Sequence, residues 1–221
     1  SYQKGVIFFQ RHKLFYTTLA AHPTSIVFAF LGCLVLVPAY PYSVIFMFGC
    51  FAPYLTFLNA RETNDVWYTA VLPVTKRESV LGKCLFVVFI QMFQLFFSIP
   101  FTLLRNTLNI ANNPVGLDAT AAWYGLGFIL YAIFDLVFLT TYYKDGYKVG
   151  KSLILAAIPM VLLMAATEAT AHIPSLAWMD SYKPKHLLMQ LPILIAGIVC
   201  YGALIPLAYR ISAKRFEKVD L

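Results

Sequence analysis

The stretch "ARETNDVWYTAVLPVTKRESVLGKC", residues 60–84, places seven charged side chains and a proline between two long apolar runs. Elsewhere charge is scarce. Of the 221 residues, 60% are hydrophobic and 12% charged, against about 25% charged in a soluble globular domain, and the mean hydropathy is +0.72. A spanning helix needs about 20 predominantly apolar residues to cross about 30 Å of hydrocarbon. Six runs meet that need, at approximately 18–38, 42–60, 84–104, 119–143, 152–172 and 187–209. The expected fold is all-α: one multi-pass membrane domain over residues 1–221 with six transmembrane helices.

Charge orients it. The link "PAYPYS", residues 38–43, makes the first two runs a tight hairpin, with Pro38 and Pro41 stopping helix propagation. An even number of spans puts both termini on one face. That face collects 14 of the 17 Lys and Arg residues, in clusters at 4–13, 61–83, 144–151 and 210–218. Only Arg105, Lys183 and Lys185 fall opposite. Because cytoplasmic loops are enriched in Lys and Arg, residues 1–17 are expected as a cytoplasmic N-terminal segment, 61–83 as a cytoplasmic loop and 210–221 as a cytoplasmic tail. Membrane orientation thus accounts for the net charge of +7, and no nucleic-acid partner is expected.

The loop at 61–83 is far longer than a turn requires and carries apolar side chains, among them Trp67, Val71 and Leu72. Pro73 breaks any helix that begins near Arg61. Thr75 followed by Glu78 has the form of a capping box that opens a second helix running into the third span. Lys76 and Arg77 then occupy a first turn, where positive charge opposes the helix macrodipole by about 0.3–1 kcal/mol each. Two readings compete for them: an orientation signal, or a docking corner for a cytoplasmic partner.

Ionisable groups inside membrane runs are costly and mark functional candidates. At a rise of 1.5 Å per residue, Asp135 lies about 13 Å from the cytoplasmic face, and Gln91 and Gln94 about 12 and 16 Å. Those three, joined by Tyr131 one turn before Asp135, are expected to form one buried polar cluster, either locking two helices, contacting substrate or relaying protons. Glu168 lies about 25 Å deep, near the opposite interface, with His172 one turn on and placed to pair with it. With the aromatic segment that follows, they suggest an outer gate or cap. Met47, Phe51, Tyr54 and Leu58 share a helical face of the second run. This is ordinary packing or an apolar translocation path.

Other chemistries lack their motifs. "DGYKVGKS", residues 145–152, falls one residue short of a phosphate-binding loop and precedes an apolar span. The four histidines are widely separated, no CxxC occurs, and neither a metal site nor a disulfide framework is expected. The cysteines, Cys33, Cys50, Cys84 and Cys200, read as small buried residues.

The segment "VWYTAVLPVTKRESVLGK" resembles the signature of the small ABC-2 type permeases of bacterial ABC transporters, in Leu72, Pro73, Thr75, Lys76, Arg77, Glu78, Leu81, Gly82 and Lys83. The topology is similar along the whole chain. The resemblance implies an amphipathic coupling helix between helices 2 and 3, with Trp67, Val71, Leu72, Pro73, Thr75, Lys76, Arg77 and Glu78 seated against a cytoplasmic ATPase. It implies a 2:2 complex with a second permease copy, expected as a homodimer, in the bacterial plasma membrane. No cofactor and no catalytic activity are expected of this chain; ATP and Mg would be used by the partner. Stand-alone permeases of this size resemble exporters of amphipathic peptides, including the phenol-soluble-modulin exporters and lantibiotic-immunity systems. Two alternatives stand beside this: a proton-coupled secondary transporter using Asp135 or Glu168, and a membrane enzyme or scaffold.

Overall fold

A computed structural model describes residues 27–28, 30–37, 40–62, 75–108, 113–144 and 148–218. Five long helices run through them: α1 (Ser43–Glu62), α2 (Lys76–Thr107), α3 (Ala121–Tyr142), α4 (Val149–Thr170) and α5 (Pro184–Glu217). Two short 3-10 helices, Leu31–Leu36 and Pro174–Asp180, complete the described elements, and no strand occurs among them. All five long helices are apolar and long enough to cross a membrane. They correspond to the second through sixth apolar runs. Most of the first run, 18–38, and the whole 1–17 segment lie outside the described residues.

Helix boundaries follow from local chemistry. α1 begins directly behind Pro41, whose carbonyl accepts Val44 N at 3.0 Å. The predicted capping box opens α2: Glu78 N donates to Thr75 Oγ1 at 3.3 Å and Thr75 N donates to Glu78 Oε2 at 3.0 Å. Pro184 occupies the first turn of α5, where its missing N–H costs nothing. α2 has 32 residues and α5 has 34, or about 48 and 51 Å at 1.5 Å per residue. Both exceed the apolar runs within them. Residues 210–217, read from the sequence as part of a separate tail, continue α5, because nothing between Leu207 and Glu217 breaks a helix.

The helices alternate in direction, so two ends can be distinguished. At the basic end α1, α3 and α5 stop and α2 and α4 start; at the cap end lie residues 113–120 and 174–183. The broadest helix pairing joins α3 and α5. It is made possible by glycine on both sides: a Cβ on Gly125 would stand 2.6 Å from the Ile193 carbonyl oxygen, and one on Gly197 would meet the Gly125 carbonyl. α2 and α3, by contrast, run farther apart and are bridged by hydrogen-bonding side chains. From α1, Phe46 reaches Trp123 at 4.2 Å and Tyr131 at 5.6 Å, filling part of that gap.

The outward faces are apolar. Leu162 on α4, Leu188 and Val199 on α5, and Phe96 and Leu103 on α2 are each at least 60% exposed, a distribution that suits lipid or a second subunit and not water.

Candidate functional site

The basic end is built on the first turn of α2. Arg77 forms a forked ion pair with Glu217, the last residue of α5, with Nε to Oε1 at 2.5 Å and Nη2 to Oε2 at 3.1 Å. Beside it Lys76 Nζ sits 5.8 Å over the Phe216 ring, which packs 5.4 Å from Tyr143 at the end of α3. Arg215 Nη1 donates to the Thr140 carbonyl. Two turns into α2, the buried Lys83 lies 5.5 Å over Phe57 of α1. Arg77 therefore engages the end of α5, whereas the docking reading of the sequence aimed it outward. Of the other residues assigned to coupling, Thr75 and Glu78 form the cap of α2, and Trp67, Val71, Leu72 and Pro73 lie outside the described residues, as does most of the expected coupling helix.

Midway along the helices, the polar side chains meet in two sets. Gln91 Nε2 donates to Asp135 Oδ1 at 2.9 Å, and Gln91 Oε1 accepts the Tyr201 hydroxyl of α5 at 2.8 Å. Gln94 Oε1 accepts the Tyr131 hydroxyl, while Gln94 Nε2 donates to the Ile45 and Phe28 carbonyls at 3.1 Å each. Gln91, Gln94, Tyr131 and Asp135 are all buried. Tyr131 thus pairs with Gln94 and not with Asp135. The residue that the sequence reading missed is Tyr201; a phenol within an apolar run was the available signal, since a buried hydroxyl needs a partner. Toward the cap, Tyr124 extends the seam, its hydroxyl lying 2.8 Å from Ser98 Oγ and 3.0 Å from Thr102 Oγ1.

At the cap end the expected Glu168–His172 pair does not form. Glu168 accepts Ser43 N at 2.8 Å through Oε1 and Leu117 N at 3.0 Å through Oε2, and His172 Nε2 lies 3.1 Å from the Val115 carbonyl. Unsatisfied backbone amides at the start of α1 and in the loop attract the carboxylate more strongly than a histidine one turn away. Gly116 makes this approach possible, because a Cβ there would occupy the Glu168 carboxylate.

Deeper in the cap lies an ion pair that the sequence did not disclose. Arg105 Nη2 and Asp118 Oδ1 are 3.0 Å apart, with side chains 3% and 0% exposed. Arg105 also donates to the Val35 carbonyl at 3.1 Å and to the Tyr42 hydroxyl, so this cation, counted from sequence among the few charges of a solvated face, is buried. Asp118 N donates to Asp180 Oδ1 at 2.6 Å. Burial pushes the Asp118 carboxyl up to about 6, with Arg105 pulling it down and Asp180 raising it further; burial also raises Asp180. Gln190 of α5 completes the cap by donating to the Trp178 and Ser181 carbonyls at 2.8 and 3.0 Å and accepting Ala122 N at 3.3 Å.

Met47, Phe51, Tyr54 and Leu58 are half-buried on one face of α1. Phe51 and Tyr54 meet edge to face at 5.9 Å, and Met47, Tyr54 and Leu58 pack on the core. The four cysteines are free. Among the described residues, no three His, Cys, Asp or Glu side chains converge on a possible metal site.

The described residues form a bundle of membrane-length helices, with most basic residues at one end and buried polar contacts tying the helices together. The family model of the ABC-2 family transporter proteins matches residues 7–217, and the chain belongs to that family. It is accordingly the membrane component of an ABC transporter, not itself catalytic, whose ATPase is a separate subunit. No match is found among curated proteins or among solved structures.

Proposed function

We propose that this permease exports an amphipathic or hydrophobic substrate, such as a peptide, across a bacterial plasma membrane as part of a 2:2 complex in which two identical permeases meet two ATPase subunits. The observation that carries the reading is the family match over residues 7–217. The basic end faces the cytoplasm in this proposal, and the 61–83 loop seats on the ATPase through Trp67, Val71 and Leu72, with Pro73 turning the chain into the capped start of α2. The half-buried stripe of Met47, Phe51, Tyr54 and Leu58 suits an apolar or amphipathic cargo better than a highly charged one. Glu168 holds the backbone amides of Ser43 and Leu117, one on each oxygen, and so serves the cap as a structural tie. ATP and Mg belong to the partner subunit, and this chain holds no cofactor.

The test is purification of the permease from its native membrane. Expected are a co-purifying ATPase, a native mass fitting two copies of each chain, and vanadate-sensitive hydrolysis that disappears when the permease is isolated alone. Hydrolysis by the isolated permease, or transport driven by a proton gradient without ATP, would refute the proposal.

A further inference from the structure

We infer that Glu217 is a positioning residue for coupling: with Phe216 it clasps the first turn of α2, so that a displacement of that turn reaches α5 and through it the cap. The inference rests on the coupling role proposed above for the 61–83 loop.

Helix electrostatics supply the first reason. The N-terminus of a helix carries partial positive charge and the C-terminus partial negative charge. Arg77 in the first turn of α2 and Glu217 at the last residue of α5 are therefore each misplaced for their own helix. Neighbouring choices show the usual rule, with Glu78 in the first turn of α2 and Lys214 and Arg215 in the last turn of α5. Helix stability selects against Arg77 and Glu217 singly, and their forked pairing gives both positions a purpose. An exposed pair of this kind contributes little to stability, which leaves relative position as its main effect.

The second reason is where α5 leads. Its apolar middle is the least buried of the five, yet its last turns are held at the basic end by Phe216 against Tyr143 and Arg215 on the Thr140 carbonyl. Midway it is tied by Tyr201 to Gln91, and at the cap by Gln190 to Trp178 and Ser181. A displacement of the α2 start that carries Glu217 with it thus acts on a helix whose polar attachments extend to the opposite end.

The test compares Arg77→Glu, Glu217→Arg and the exchanged pair Arg77→Glu with Glu217→Arg, each in the native permease–ATPase complex. Hydrogen exchange of residues 174–183 is followed with and without vanadate trapping of ATP. Each single reversal improves the electrostatics of its own helix but sets like charges face to face across the exposed pair, two small and opposed effects, so a purely structural role predicts little change in stability and an unchanged response. The clasp predicts instead that the ATP-dependent change in exchange falls about five-fold or more in either single variant, with the ATPase still bound, and that the exchanged pair restores it. Single variants that respond like the native complex, an exchanged pair no better than the singles, or a native complex whose cap ignores ATP would each overturn the clasp while leaving the transporter reading intact. Absence of any bound ATPase in the native preparation would overturn both.

Discussion

At the scale of single residues, Asp118 carries the clearest pH dependence. Its carboxyl stands at about 6 rather than the ordinary 3.8 because burial outweighs the pull of Arg105. A group with a raised folded pKa holds its proton more tightly in the closed cap than in the opened one. Its contribution to stability is therefore full below its ordinary pKa and is lost as pH rises through about 6. Thermal unfolding in detergent should show the native protein losing about 1–3 kcal/mol between about pH 4 and pH 6 relative to its value at the acid limit. Asp118→Asn keeps an acceptor for Arg105 but has no proton to lose, so its stability should be flatter across that window; an equal slope in the variant would refute the assignment. Gln91 offers a second test, since it bonds Asp135 and Tyr201 at once. Contacting residues couple, so a double-mutant cycle of Gln91→Leu with Tyr201→Phe should give an interaction energy of about 0.5 kcal/mol or more in unfolding titrations, and strict additivity would count against the contact. Asp135, Gln91 and Gln94 were legible in the sequence because an amide or carboxyl in an apolar run stands out and helix rise sets its depth. Arg105, Asp118 and Asp180 were not. They lie outside or at the edges of runs, where charge is ordinarily solvated; only the meeting of residues 113–120 with α2 and with 174–180 buries Arg105 and Asp118 and brings the half-buried Asp180 onto Asp118 N.

At the scale of elements, α2 and α5 mark what periodicity can and cannot fix. The capping box at Thr75 and Glu78 located the start of α2 from sequence, because the bonds that define it lie within four residues. The end of α5 had no such mark, and hydropathy alone stopped the span well short of Glu217. Glycine on α5 divides in the same way. Gly197 presses on the Gly125 backbone, whereas Gly202 has nothing within 4 Å of its would-be Cβ. Gly197→Val should cost about 1–3 kcal/mol through overpacking against backbone that cannot yield. Gly202→Ala should instead stabilise by about 0.8–1 kcal/mol through helix propensity. Denaturant titration of both variants in mixed micelles checks the contrast, and losses of similar size at the two positions would contradict the close α3–α5 crossing.

Across the whole molecule, the all-helical membrane class and the apolar helices α1 to α5 were readable because a bilayer imposes length and composition directly on sequence. The pairing of helices was not, since it depends on which faces meet. Small residues recur too often along this chain for Gly125 and Gly197 to be singled out in advance. The charge clusters predict that single cysteines placed in the 210–218 segment react from the cytoplasmic side and those near Ser181 from the opposite side. Impermeant thiol reagents on intact cells and on inverted vesicles would decide it, and the reverse pattern would overturn the orientation.

The Gly125–Gly197 crossing also restricts how the domain can change shape. Backbone touches backbone there, so sliding α5 along α3 by one turn would drive a side chain from the same face, Ile193 or Tyr201, into a space sized for hydrogen. The two helices also touch at their cap ends, where Gln190 accepts Ala122 N, midway, where Phe128 meets Tyr201, and at their basic ends, where Arg215 donates to the Thr140 carbonyl. They are thus fastened along their length, and any change of shape in the domain is expected to carry α3 and α5 together as a single stave.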